Sequence, residues 1–300
     1  HSMIGITTVS CRLRQALTRL SGGVRKPVAQ ETEEGEGALF SAARLLRENR
    51  LKKPLVVIDG SAEPWRESIL RSLEDNDVAC SVWDRLPERP TADDGENLRL
   101  FWLGEKCDSF LVIGGARTID AVKAAAGRAA CRGRSIEGMA RRCRIRAKKL
   151  PRVIAIPTIP GAGTEALSRA VVYSRQGGTI MLDDRALVPP FAVLDPALVQ
   201  DVSRETLARA VMDGLCLAIE AYLSRFADET VREHSAEAVK GFLEAAEPCW
   251  NDGGTPEQRM RLLAASRMAG MAASRAGCSS CMASQRSEER RVGKECRSRW

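Results

Sequence analysis

Three short apolar runs constrain this chain most. Pro54-Leu-Val-Val-Ile58 ends in Asp59, Phe110-Leu-Val-Ile113 runs into Gly114-Gly115, and Val153-Ile-Ala-Ile156 runs into Pro157. Each run is continuous, not alternating, so each predicts a strand buried on both faces. Amphipathic stretches separate them. In Ala38–Glu48 the residues Leu39, Ala42, Leu45 and Leu46 share one helical face; Pro64–Asn76 reads as helix; Thr118–Ala130 places Ile119, Val122 and Ala126 on one side. Val78–Trp83 reads as a further strand, and Glu31–Glu36 as a polar, acidic lead-in. Strand and helix in alternation predict a doubly wound α/β parallel sheet of the nucleotide-binding kind over residues 31–200. The pattern changes after Asp195-Pro196. Ser203 reads as a helix N-cap with Glu205 in the first turn, followed by helical stretches Thr206–Ser224, Thr230–Glu247 and Pro256–Ala276. A second, all-helical domain over 201–285 is expected, incomplete as written, with a cleft between the two.

The charge is local. Net charge is +7, but Arg128–Arg152 carries ten basic residues against Glu137 alone, and 286–300 is basic as well. The strip has no interleaved aromatics, so it reads as a solvated face, with no nucleic-acid partner. No run approaches the roughly 20 apolar residues of a membrane span, so no membrane partner is expected. Ten cysteines without framework spacing read as reduced thiols, and Cys278-x-x-Cys281 as incidental; the expected location is cytoplasmic. Residues 1–30 lack Asp and Glu and carry several arginines, which fits a basic amphipathic helix or a mitochondrial transit segment. Residues 286–300 have neither apolar period nor turn logic and read as a vector-derived tail. Only two histidines occur. His1 reads as a tag remnant and His234 as a solvated surface residue, which leaves no three-histidine metal site.

Three places carry chemistry. Asp59 at a strand end can accept both hydroxyls of an adenosine ribose and repel a 2′-phosphate, although strands also end in Asp for turn reasons. Gly114-Gly115, between strand and helix, can bring backbone amides to a pyrophosphate or simply make a packing turn; Asp120 and Lys123 follow on the helix. Pro157-Thr158-Ile-Pro-Gly161-Ala-Gly163-Thr164-Glu165 is a second glycine-bearing turn, with hydroxyls at Thr158 and Thr164.

Taken in order, these segments resemble the iron-containing (group III) alcohol dehydrogenases, within the dehydroquinate-synthase-like fold. The resemblance rests on Asp59; Gly114, Gly115, Asp120 and Lys123; Pro157, Thr158, Gly161, Gly163 and Glu165; Leu194-Asp195-Pro196; and Met212-Asp213…Leu215…Ala218-Ile219-Glu220-Ala221-Tyr222. Leu263–Gly277 is similar to a further helix of that family. The later segments look closest to the alcohol dehydrogenases of ethanolamine-utilisation clusters. The resemblance implies hydride transfer between a small alcohol or aldehyde and NAD(P). Asp59, Gly114, Gly115, Asp120, Lys123, Thr158, Gly161, Gly163 and Thr164 are then the candidate cofactor residues, with NAD favoured by Asp59. It also implies Fe²⁺ or Zn²⁺ as Lewis acid on the substrate oxygen, and a homo-oligomer is compatible with it.

The pattern then breaks. Asp213 stands at the family's first metal ligand, but Leu217 stands where the second, a histidine, is expected. Gly277–Ser284 replaces a histidine-bearing stretch and aligns Ser284 with its final histidine; the fourth ligand falls beyond the chain. The third glycine and the serine of the first turn are Ala116 and Arg117, and Thr179 replaces an expected lysine. A truncated fragment, or a nucleotide-binding relative without catalysis, is the alternative expectation.

Overall fold

A computed structural model describes residues 28–277, apart from 132, 143, 144 and 146. The strands are β1 (Glu31–Glu34), β2 (Pro54–Ile58), β3 (Ser81–Trp83), β4 (Ser109–Gly114), β5 (Arg152–Pro157), β6 (Arg169–Tyr173), β7 (Thr179–Asp183) and β8 (Phe191–Leu194). The α-helices are α1 (Ser41–Glu48), α2 (Arg66–Asp75), α3 (Ala92–Gly104), α4 (Ala116–Ala130), α5 (Ile136–Arg142), α6 (Arg204–Leu223), α7 (Glu229–Asp252) and α8 (Pro256–Ala276).

Six strands form one parallel sheet in the order β1-β8-β5-β4-β2-β3. The three apolar runs are its central strands, and their residues divide between two cores by parity. Val56, Ile58, Leu111, Ile113, Ile154 and Ile156 pack with Leu45 and Leu46 of α1 and Ile69 and Leu73 of α2. Leu55, Val57, Phe110, Val112, Val153 and Ala155 pack on the other face with Leu98 of α3 and Ile119, Val122 and Ala126 of α4. Burying each such side chain stabilises the fold by about 1.5–3 kcal/mol. β6 and β7 form a separate antiparallel hairpin.

Past β8 the chain turns helical. Ser203 caps α6 by accepting from the Thr206 amide at 3.3 Å. Leu207, Val211 and Ala218 of α6, Phe242 and Ala245 of α7, and Leu262, Ala265 and Ala269 of α8 make one cluster.

The sequence pattern does not predict β6, β7, β8 or α5, and two further elements depart from it. Glu31–Glu34 is an edge strand, paired through its backbone to β8, and backbone pairing leaves no hydropathy signal. Ala92–Gly104 is a helix that opens on a capping box. Thr91 Oγ1 accepts from the Asp94 amide at 3.3 Å, and Asp94 Oδ2 accepts from the Thr91 amide at 2.7 Å.

Candidate active site

In a parallel sheet, ligands sit beyond the carboxyl ends of the strands, where helix N-termini also point. Here β2, β4 and β5 end side by side on Asp59, Gly114 and Thr158. Asp59 ties them together. Its Oδ2 accepts from the Gly115 amide at 2.8 Å and from Thr118 Oγ1 at 2.6 Å. Its Oδ1 accepts from the Ser61 amide at 2.9 Å and from the Ser61 hydroxyl. Ser61 Oγ lies 2.6 Å from Thr158 Oγ1, and the Thr158 amide donates to the Gly114 carbonyl at 3.1 Å. A carboxylate has about four lone-pair sites, and all of Asp59's are engaged. The expectation that Asp59 receives ribose hydroxyls is therefore modified. It must release Ser61 or Thr118 first.

Gly114 has to be glycine because a Cβ there would overlap the Asp59 carboxylate. Gly115 is the N-cap of α4, whose first amides lack partners within the helix. Arg117 turns away from this helix end, with Nη1 3.3 Å from Glu88 Oε1. Ser61 and Thr118 were not singled out in the sequence. The only cue to them was a hydroxyl close to a strand-ending Asp or a glycine turn, which is too common to be informative.

The other expected cofactor residues do not join this cluster. Lys123 is 1% exposed. Its ammonium donates to the carbonyls of Thr164 at 2.9 Å, Leu167 at 2.6 Å and Arg169, with Asp120 at 3.9 Å. Three donors bonded to three carbonyls leave none for a ligand. Lys123, with buried Asp120 beside it, thus anchors the 164–169 segment to α4, and Thr164 is buried with them. Gly161 and Gly163 make their close approaches to helices. A Cβ on Gly161 would lie 2.7 Å from the Ala210 carbonyl of α6, and one on Gly163, at φ +60°, would overlap the Ser266 carbonyl of α8. Ser266 Oγ accepts from the Gly161 amide at 2.9 Å and the Gly163 amide at 3.0 Å. This second glycine turn is an inter-element joint. Glu165 behind it is fully buried, and burial pushes its carboxyl up to about 7 against the pull of Arg267 and Lys123.

The iron-containing alcohol dehydrogenase profile matches residues 29–196, more than half of the chain. The chain belongs to the iron-containing alcohol dehydrogenase family. It is 30% identical over 216 residues to the probable alcohol dehydrogenase EutG of Salmonella typhimurium, covering 72% of this chain and 54% of that one. It is 26% identical over 247 residues to the NAD-dependent methanol dehydrogenase of Bacillus methanolicus, covering 81% and 64%. Among solved structures, a 1,3-propanediol oxidoreductase superposes with a TM-score of 0.79 at 20% identity, covering 84% of this chain and 66% of that one. A sulfoacetaldehyde reductase from Bifidobacterium kashiwanohense in complex with NAD+ gives 0.76 at 22% identity, covering 84% and 67%. The chain thus spans between half and two thirds of the length of these curated relatives.

The residues at the family's metal positions do not fit a metal. Asp213 is exposed on α6, next to Gly214, which packs on the Gly161 carbonyl. Leu217, one turn on, is 1% exposed in a cluster with Leu167, Val171, Ala221, Val231 and Ala273. That wall offers no lone pair. Among the described residues no group of three or more His, Cys, Asp or Glu is placed to hold an ion. Ser284, the cysteine pair Cys278 and Cys281, and the two terminal segments lie outside the described residues, apart from Val28–Gln30 of the first.

The basic strip is partly described: Arg128 Nε donates to Glu96 at 2.5 Å, and Arg152 Nη1 to Asn49 at 3.0 Å. His234 departs from expectation in part: it is half-buried and lines a cavity, and burial lowers its pKa.

Proposed function

We propose that this chain is an NAD-linked oxidoreductase that interconverts a small alcohol and its aldehyde. The Asp59–Gly115–Thr118 knot at the strand ends carries the reading. It holds two glycines and a helix N-terminus where a pyrophosphate approaches most favourably, and it keeps a carboxylate beside them. The dinucleotide, when bound, supplies the hydride acceptor; the alcohol loses a hydride from carbon to it and a proton from oxygen to solvent water. The first amides of α4 bind the phosphates. Asp59 turns from Ser61 to a ribose hydroxyl and disfavours a 2′-phosphate by charge, which favours NAD over NADP. Thr158 holds the floor in register. No step is assigned to a metal, because Leu217 closes the position where one would be held. The names of the methanol dehydrogenase and EutG relatives support a small alcohol as substrate. The described cysteines are free thiols, which supports a reducing compartment such as the cytoplasm.

Fluorescence titration with NADH and NADPH, followed by oxidation of 1-propanol with NAD, tests the reading. Tighter binding of NADH with measurable turnover supports it. Failure to bind either nucleotide overturns it. Binding without turnover replaces it with a nucleotide-binding relative that lacks catalysis.

A further inference from the structure

A cavity lies at the opposite end of the sheet from Asp59. Gln30, directly before β1, and Val188, three residues before the parallel strand β8, line it, so it opens at the strands' amino ends. Its far wall is α7 and α8. The volume is about 460 Å³, within the range of small-molecule sites.

The lining has an asymmetric chemistry. Three arginines, Arg185, Arg267 and Arg275, and His234 contribute to it, and among the described residues no Asp or Glu does. Val188 and Met271 are among several apolar residues that make most of the remaining wall. Arg275 is committed, since its guanidinium lies on Asp228. Arg267 is held but not satisfied. Its Nε donates to Gln30 Oε1 at 3.3 Å, and among the described residues this is its only hydrogen bond. Gln30 is itself fixed, because its amide nitrogen donates to the carbonyls of Glu165 at 2.6 Å and Pro189 at 2.9 Å. One hydrogen bond therefore fixes Nε, and among the described residues no partner takes up the two terminal nitrogens. Preorganisation of this kind lowers the entropy cost of taking up an anion.

The nearest negative groups do not cancel this field. Asp228 is paired with Arg275. Glu233 and Asp228 pull His234 towards the charged form, but burial, Arg267 and Arg275 hold its pKa below the usual value. Arg267 pulls on the buried Glu165, but burial outweighs that pull and pushes the Glu165 carboxyl up to about 7. A partly neutral acid offsets a guanidinium poorly.

We propose that this cavity is a binding site for a small amphipathic carboxylate, with its anion on the free edge of Arg267 and its hydrocarbon on Val188 and Met271. Thr230 and His234 flank the anion as neutral donors, and Arg185 at the exposed rim draws the ligand in. The site is separate from the nucleotide end of the sheet and does not depend on the reading given for it.

Isothermal titration of the full 300-residue chain with hexanoate tests the proposal. Saturable binding is expected, with hexanol and inorganic phosphate each roughly tenfold weaker or worse, since one lacks the charge and the other the hydrocarbon. R267Q should weaken hexanoate by about tenfold or more, and R185Q by about two- to fivefold, with circular dichroism confirming that each variant is folded. Should R267Q not fold, the hexanol and phosphate comparisons still decide. An NADH titration of the parent protein should give the same midpoint with and without hexanoate. The proposal is overturned by any one of four results: no saturable hexanoate binding, hexanol or phosphate binding equally well, hexanoate affinity unchanged in a folded R267Q, or competition between hexanoate and NADH.

Discussion

The two glycine turns look alike in the amino-acid sequence and do different work. Gly114-Gly115 meets a side chain: Asp59 reaches across from the neighbouring strand and bonds the turn from below. Gly161 and Gly163 meet helices: Ala210, Ser266 and Gly270 come within a distance that excludes any Cβ. Glycine in such a turn therefore signals a close approach, but the approaching group is set by tertiary structure. In the first turn it leaves a helix N-terminus open beside a carboxylate. In the second the approach is used up inside the protein.

Four changes sharpen or break this contrast. Gly163→Ala should have the largest effect, because it combines φ +60° with overlap of a backbone carbonyl that cannot move aside. A loss of about 4 kcal/mol or more in urea unfolding is expected; a loss below about 1 kcal/mol would remove the joint from the second turn. Ser266→Ala strands two buried amides and should cost about 3 kcal/mol by the same measurement.

Glu165→Gln should act through pH. The folded carboxyl titrates near 7, above the unfolded value of 4.5. The folded state therefore binds more protons between those values, and the parent should lose stability as pH rises from about 5 to 8. The variant should lose that slope, worth about 2 kcal/mol across the window, as thermal melts in matched buffers would register. A parent profile flat over this range would refute the assignment. Asp59→Asn should have the smallest effect on folding but a selective one on ligand. Loss of charge at the first turn should narrow the NADH-over-NADPH preference by about tenfold in paired fluorescence titrations. An unchanged ratio would mean that the carboxylate does not read the ribose.

The sheet was legible because burial on both faces leaves continuous apolar runs, as in Phe110–Ile113, and the three long helices because their periodicity and caps are local. β1 and β8 were not read as strands: Glu31–Glu34 pairs by backbone alone, and Phe191–Leu194 is a short run of four residues. Asp59, Gly114, Gly115 and Thr158 were found and do converge, since strand ends converge in any parallel sheet. Lys123 was misread for a physical reason. A lysine one helical turn past a glycine loop suggests a phosphate contact, and only the path of 164–169 shows that its three protons meet carbonyls. His234 was misread because a polar helical stretch gives no hint of the cavity wall facing it. Leu217 was legible at once, and the structure adds that its position is packed, not vacant.

The approach of Gly163 to Gly270 is main chain against main chain. No side chain stands at that point on either partner, so neither can adapt by changing rotamer, and any sliding of the helices over the sheet must be taken up in backbone torsions. The sheet and helices are accordingly geared as one cooperative body. Heating should melt them in a single calorimetric peak, and flexibility needed to admit a ligand must come from loops such as the one bearing Ser61, not from a hinge between the halves.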